Sequence, residues 1–136
     1  MNPIPTTRIE YETYTLPNGL QVILSPHRVA PTVAVLVLYK VGSVNEPRGK
    51  TGFAHLFEHM MFQGSENVPR EMHFKYVESN GGVLNGFTSY DLTAYFELLP
   101  ASKLPLGLWL ESDRMRSLQV SQENLDNQRA VVKEER

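Results

Sequence analysis

Residues 52–62, GFAHLFEHMMF, constrain this chain most. They are almost wholly apolar and contain no β-branched residue, and the run is too crowded for a strand of ordinary length. The stretch therefore predicts a buried helix, apolar nearly all round. Such a helix should not carry charge, yet it holds His55, Glu58 and His59. An unpaired buried carboxylate costs several kcal/mol, so something has to compensate it.

Helical geometry suggests what. Each residue advances about 100°, so His55 and His59 lie within about 40° of each other, one turn apart. Both imidazoles can reach one metal ion. Glu58 lies about 60° to the other side of His55 and can reach a ligand on that metal without binding it. Two neutral imidazoles suit zinc, and H-x-x-E-H is the inverted form of the H-E-x-x-H zinc motif. Two ordinary core histidines beside a carboxylate are the competing explanation. From average composition, the pattern arises by chance in roughly one chain of this length in a few hundred.

A catalytic zinc site usually takes three protein ligands and keeps one position open. The chain has no cysteine, so no thiolate ligand exists. His27 lies in a loop and His73 on a helix expected to be exposed. The last helix offers Glu134 and Glu135. Its apolar face runs Leu125, Gln128, Val132, and Glu135 continues that row, while Glu134 points about 100° away. The helical face favours Glu135, with Glu134 still open.

The rest of the chain predicts an α+β fold, with helices packed on one face of a largely antiparallel sheet. Residues 11–25 read as a hairpin, with Asn18 and Gly19 both supplying positive φ. Residues 32–43, apolar on both faces, read as a central buried strand. Residues 70–79 form a helix ended by Asn80-Gly81-Gly82. Residues 83–100 form two strands about a Ser-Tyr-Asp turn. Residues 103–117 predict an amphipathic helix whose apolar residues are Leu104, Leu108, Trp109 and Met115. Ser121 is a plausible N-cap for the last helix, with Glu123 in its first turn.

Composition narrows the partners. The chain of 136 residues is 41% hydrophobic and carries a net charge of −2, with no basic block. Nucleic acid and anionic membrane are not expected as partners. No apolar run of ~18 residues would span a membrane. The opening MNPIPTTRIEYE shows no leader-like pattern, so no signal peptide is visible, which leaves a cytoplasmic location or, if a signal peptide was removed, a periplasmic one. The closing VVKEER stops within a helical pattern, which suggests a piece of a longer protein.

Four stretches carry a resemblance: LPNGLQVIL, VGSVNEPRGKTGFAHLFEHMMFQGS, GGVLNGFTSYDLTAYFELLP and NQRAVVKEER. In this order and spacing they resemble the N-terminal part of the M16 metallopeptidases, the inverzincins that include pitrilysin, insulin-degrading enzyme and the mitochondrial processing peptidases. The resemblance implies one zinc ion held by His55, His59 and Glu135. It implies Glu58 as the group that activates water. It places Gln128 where the family commonly has a glutamate that assists the site, a departure affecting only support of the ligands. It implies that peptide adds as a strand to Asn85-Gly86-Phe87-Thr88, with Phe62 and Phe87 near the pocket after the scissile bond. A turn role for Asn85 and plain core packing for both phenylalanines are the competing explanations.

The implied function is a zinc-dependent endopeptidase acting on peptides or small unfolded proteins. A second homologous domain or subunit would close its chamber, and the rest of the catalytic domain and a C-terminal domain would lie outside this chain. The alternatives are a metal-binding domain or an interaction subunit without independent activity.

Overall fold

A computed structural model describes residues 8–135. These divide into two units, one running to Pro31 and one starting at Thr32. The first is a hairpin of β1 (Glu12–Thr15) and β2 (Gln21–Leu24), paired antiparallel with Glu12 opposite Leu24. The Pro17-Asn18-Gly19 turn forms as expected, except that Asn18 does not take a positive φ. Gly19 N donates to Leu16 O at 2.8 Å, so Pro17 and Asn18 are the centre of a β-turn, and Gly19 alone adopts positive φ, at 89°. This is a type I turn followed by a left-handed glycine, the usual three-residue solution. Asn18 contributes its side chain, which accepts from Leu20 N at 3.1 Å.

The second unit is built on a three-stranded antiparallel sheet of β3 (Thr32–Tyr39), β4 (Val83–Thr88) and β5 (Thr93–Pro100), in the order β3-β5-β4. The central strand is therefore β5, and β3, expected at the centre, lies at an edge. Helices α1 (Phe53–Met60), α2 (Met72–Ser79) and α3 (Leu104–Ser117) contact the sheet, and α4 (Gln122–Glu134) packs on α1. The helices cover one face. On it lie Tyr95, Glu97 and Leu99 of β5, all at most 2% exposed. Leu36 and Leu38 of β3 stand on the other face, 61% and 50% exposed. An apolar pattern on both faces of a strand thus does not require that both be covered in this unit.

Two small cores hold the helices. Val68, Val77, Leu99 and Leu110 join α2, α3 and the sheet. Leu56, Met60 and Val132, with Leu125 against them, lock α4 to α1. Each fully buried aliphatic side chain contributes about 1.5–3 kcal/mol. Helix α2 ends as expected: Gly81 takes φ 77°, Gly82 N donates to Val77 O and Gly81 N to Glu78 O, both at 3.0 Å. That is a Schellman cap.

Helix α3 reverses its expected face. Its buried residues are Gly107, Leu110, Glu111, Asp113 and Arg114, while Leu108 and Trp109 are 53% and 41% exposed. The cause is ionic. Glu111 and Arg114, three apart, neutralise each other on the inner face. Gly107 lets the helix sit close on β5, since a Cβ there would lie 2.8 Å from Glu97 Oε2.

Candidate metal and active site

Helix α1 presents the site. Its N-terminal residue, Gly52, has no side chain with which to cap the helix. Glu46, from the preceding loop, does so instead, accepting from Gly52 N and Ala54 N at 2.8 Å each. A carboxylate there also complements the positive end of the helix dipole. Ala54, Leu56 and Met60 turn inward. His55, Glu58 and His59 are half-buried and bring ligand atoms within 4.8 Å of one another.

Helix α4 supplies the rest. Ser121 accepts from Asn124 N at 3.1 Å, the expected cap. Leu125 and Val132 pack on α1 and carry Gln128 and Glu135 with them, as the helical face predicts. Gln128 Oε1 lies 3.2 Å from His59 Nδ1. Oriented this way the amide oxygen only accepts, so Nδ1 carries the proton and Nε2 is left with its lone pair. Glu135 Oε2 lies 3.4 Å from His55 Nε2 and 3.5 Å from His59 Nε2. The two Nε2 atoms are 3.2 Å apart, with the rings edge to face.

These three separations carry chemical information. At 3.4 and 3.5 Å the histidine–carboxylate contacts are too long for good hydrogen bonds. Three donors each 2.0–2.1 Å from one ion at tetrahedral angles would sit about 3.3 Å apart. The set of 3.2, 3.4 and 3.5 Å matches that spacing. Two nitrogens and one carboxylate oxygen, partly open to solvent, form a donor set that suits zinc and leaves a fourth position for water or substrate.

Comparison with known proteins agrees. The model of the insulinase family, peptidase family M16, matches residues 21–136. The chain belongs to peptidase family M16. The zinc protease PqqE of Helicobacter pylori is 41% identical over 128 residues, covering 93% of this chain and 29% of that protein. A probable mitochondrial-processing peptidase subunit beta of Schizosaccharomyces pombe is 31% identical over 121 residues, 89% of this chain and 26% of that one. The crystal structure of a protease from Helicobacter pylori superposes with a TM-score of 0.91 at 40% identity, over 95% of this chain and 31% of that chain. The chain thus spans less than a third of the length of each of these relatives. The α+β fold of the second unit is that of its M16 neighbours.

Beside the M16 motif runs a cleft of about 730 Å³, lined by His55 and Glu58 on one side and by Gly86, Phe87, Thr88 and Tyr90 on the other. Strand β4 is an edge strand, so its outer main chain has no strand partner among the described residues. Asn85 Oδ1 accepts from Gly86 N at 2.8 Å. Phe87 is 48% exposed. Phe62 packs inside an aromatic cluster, its ring 5.6 Å from Tyr95 and 4.8 Å from Phe74. A Cβ on Gly86 would meet Tyr95 at 3.0 Å and Phe62 at 3.3 Å, so this floor fits glycine closely.

Sequence reasoning missed what lies beneath. His73, expected on an exposed helix, is 3% exposed, and its Nε2 is 2.6 Å from Glu97 Oε1. Arg114 donates to Glu111 through Nε and Nη2 and lies over the Tyr95 ring at 4.3 Å. Burial pushes Glu111 up to about 7, against the pull of Arg114. Burial likewise raises the Tyr95 hydroxyl. His73, Glu97 and Glu111 are close enough to share a cation. Arg114 already pairs with Glu111, and its positive charge there disfavours a bound cation. The i, i+3 pair Glu111–Arg114 was the one signal in the sequence.

Proposed function

We propose that this chain carries the metal-binding and water-activating part of a zinc-dependent endopeptidase, as the N-terminal part of an M16 catalytic domain. The observation that carries the reading is the spacing of the His55, His59 and Glu135 donors, which fits one tetrahedral ion. The name of the Helicobacter pylori relative, a zinc protease, supports it.

His55, His59 and Glu135 would hold the ion, and Gln128 keeps His59 in the tautomer that binds. Bound zinc would supply Lewis acidity, acidifying a water molecule and polarising the scissile carbonyl. Glu58 would accept a proton from the attacking water and return it to the leaving amine nitrogen. The β4 edge receives an extended peptide or unfolded segment through main-chain hydrogen bonds, which give affinity with little sequence demand. Asn85 yields Gly86 N to the incoming strand, the Phe62-backed floor under Gly86 shapes the neighbouring pocket, and Phe87, whose side chain alternates to the opposite face of β4, borders the cleft. A second homologous domain or subunit closes the chamber.

Zinc content by elemental analysis tests the metal centre, beside Glu135→Ala. The expected result is about one zinc per chain, lost in the variant. Little zinc in the wild type would overturn the reading. Zinc retained without cleavage of an internally quenched peptide would favour a metal-binding or interaction subunit.

A further inference from the structure

Glu58 is joined to the sheet by one contact. Thr88 Oγ1, at the end of β4, lies 2.5 Å from Glu58 Oε2 on α1. An ionised carboxylate only accepts, so Thr88 is the donor. A hydroxyl has a single proton, and the short contact directs it to Glu58 Oε2 rather than to Thr93 Oγ1, which is 3.5 Å away. Thr93, directly opposite Thr88 in the ladder, donates its own proton to Val41 O at 2.9 Å and stands 3.5 Å from Thr88 Oγ1. Thr93 is 4% exposed, so this backing is fixed.

Thr88 is also a rigid donor. It is β-branched and sits in a paired strand, which restricts χ1. Its side chain faces the helices together with Leu84 and Gly86, while Asn85 and Phe87 alternate to the other face. Glu58 Oε1 has no hydrogen-bond partner among the described residues, and the Glu58 side chain lines the cleft beside His55. The two carboxylate oxygens are therefore unequal.

We propose that Thr88 is the positioning residue of this site: it holds Glu58 by Oε2 so that Oε1 faces the position of the attacking water. This rests on the reading of Glu58 as the base. It gives Thr88 two separable functions, main chain toward the peptide and side chain toward the base. A proton acceptor misplaced by about 1 Å can cost 10²-fold in rate, so one hydroxyl at this point has leverage.

The test compares Thr88→Val, which keeps the shape and removes the donor, with Thr88→Ser, which keeps the donor. The first readout is independent of activity. In the whole chain labelled with ¹³C at glutamate, the Glu58 carboxyl resonance is assigned by its loss in Glu58→Gln. It should move in Thr88→Val and stay in place in Thr88→Ser. The second readout is kinetic. Thr88→Val should lower kcat about 10- to 100-fold with KM within about twofold, and Thr88→Ser should restore most of it. Zinc content and thermal midpoint should be unchanged in both. An unmoved resonance or an undiminished kcat in Thr88→Val overturns the proposal, as does Thr88→Ser behaving like Thr88→Val. A wild type that cleaves nothing, with the resonance still moving, would fault the peptidase reading and leave Thr88 as the group that orients Glu58.

Discussion

His59 Nδ1 and Gln128 Oε1 lie 3.2 Å apart, and this bond ties the first helix of the second unit to the last. With the amide oxygen toward the ring, it favours the tautomer that keeps the Nε2 lone pair available. Gln128→Ala removes the acceptor and frees the ring to adopt the wrong tautomer. Zinc affinity, measured by competition with a chelator of known strength, should weaken about 10- to 100-fold. Gln128→Glu keeps an acceptor and adds charge that strengthens the imidazole donor. It should bind zinc at least as tightly as the wild type. Equal weakening in both variants would show that the amide contributes only packing.

Glu58 predicts a different separation. Gln at this position can still accept from Thr88 but cannot take a proton. Glu58→Gln should retain zinc and lose cleavage of an internally quenched peptide by about 10²–10⁴-fold. Elemental analysis and peptide turnover on the same preparation decide it. Loss of zinc with loss of turnover would make Glu58 part of the ligand set.

The residues of the candidate metal site were legible in part because they lie on a regular helix or at its end, where spacing constrains direction. The row through Leu125, Gln128 and Val132 favoured Glu135 over Glu134, the family resemblance selected it, and the structure brings it to the two histidines. The strand order was not legible. Nothing in the alternation of β3 says that its Leu36 and Leu38 face no helix. The inner face of α3 was misread for a related reason: pattern arguments send charge outward. Glu111 and Arg114 turn inward because they pair with each other, above a second pair, His73 and Glu97, that comes from two other elements. The Thr88–Glu58 contact joins strand to helix and has no local signature at all.

Asp113 predicts the stability of the loop after α1. Its carboxylate accepts from Ser65 Oγ at 2.5 Å, from Asn67 Nδ2 at 2.7 Å and from Asn67 N at 3.1 Å. The Ser65 and Asn67 bonds hold its pKa below the ordinary value. Asp113→Ala leaves these donors without their acceptor and should cost about 2–4 kcal/mol by urea denaturation. Because the folded state favours the ionised form, this stabilisation is present above the ordinary carboxylate range and is lost as pH falls through the folded pKa. The gap between wild type and Asp113→Ala should therefore narrow in acid. A constant gap would mean that the bonds do not depend on the charge.

Glu111 predicts the opposite sign. Burial raises it from an ordinary 4.5 to about 7 despite Arg114. Between those two values the unfolded chain has given up the proton and the folded chain keeps it. The folded state then binds more protons, so the group's contribution to stability falls as pH rises from about 4.5 and levels off above about 7. Glu111→Gln is neutral throughout and lacks this slope. Near pH 4.5 it should resemble the wild type, whose Glu111 is protonated when folded. By pH 8 it should have gained about 3 kcal/mol relative to the wild type. Denaturation midpoints of both chains across this range measure the difference, and subtraction removes the contributions of the groups they share. A variant that instead loses ground as pH rises would mean that Arg114 stabilises the ionised form of Glu111 by more than burial penalises it.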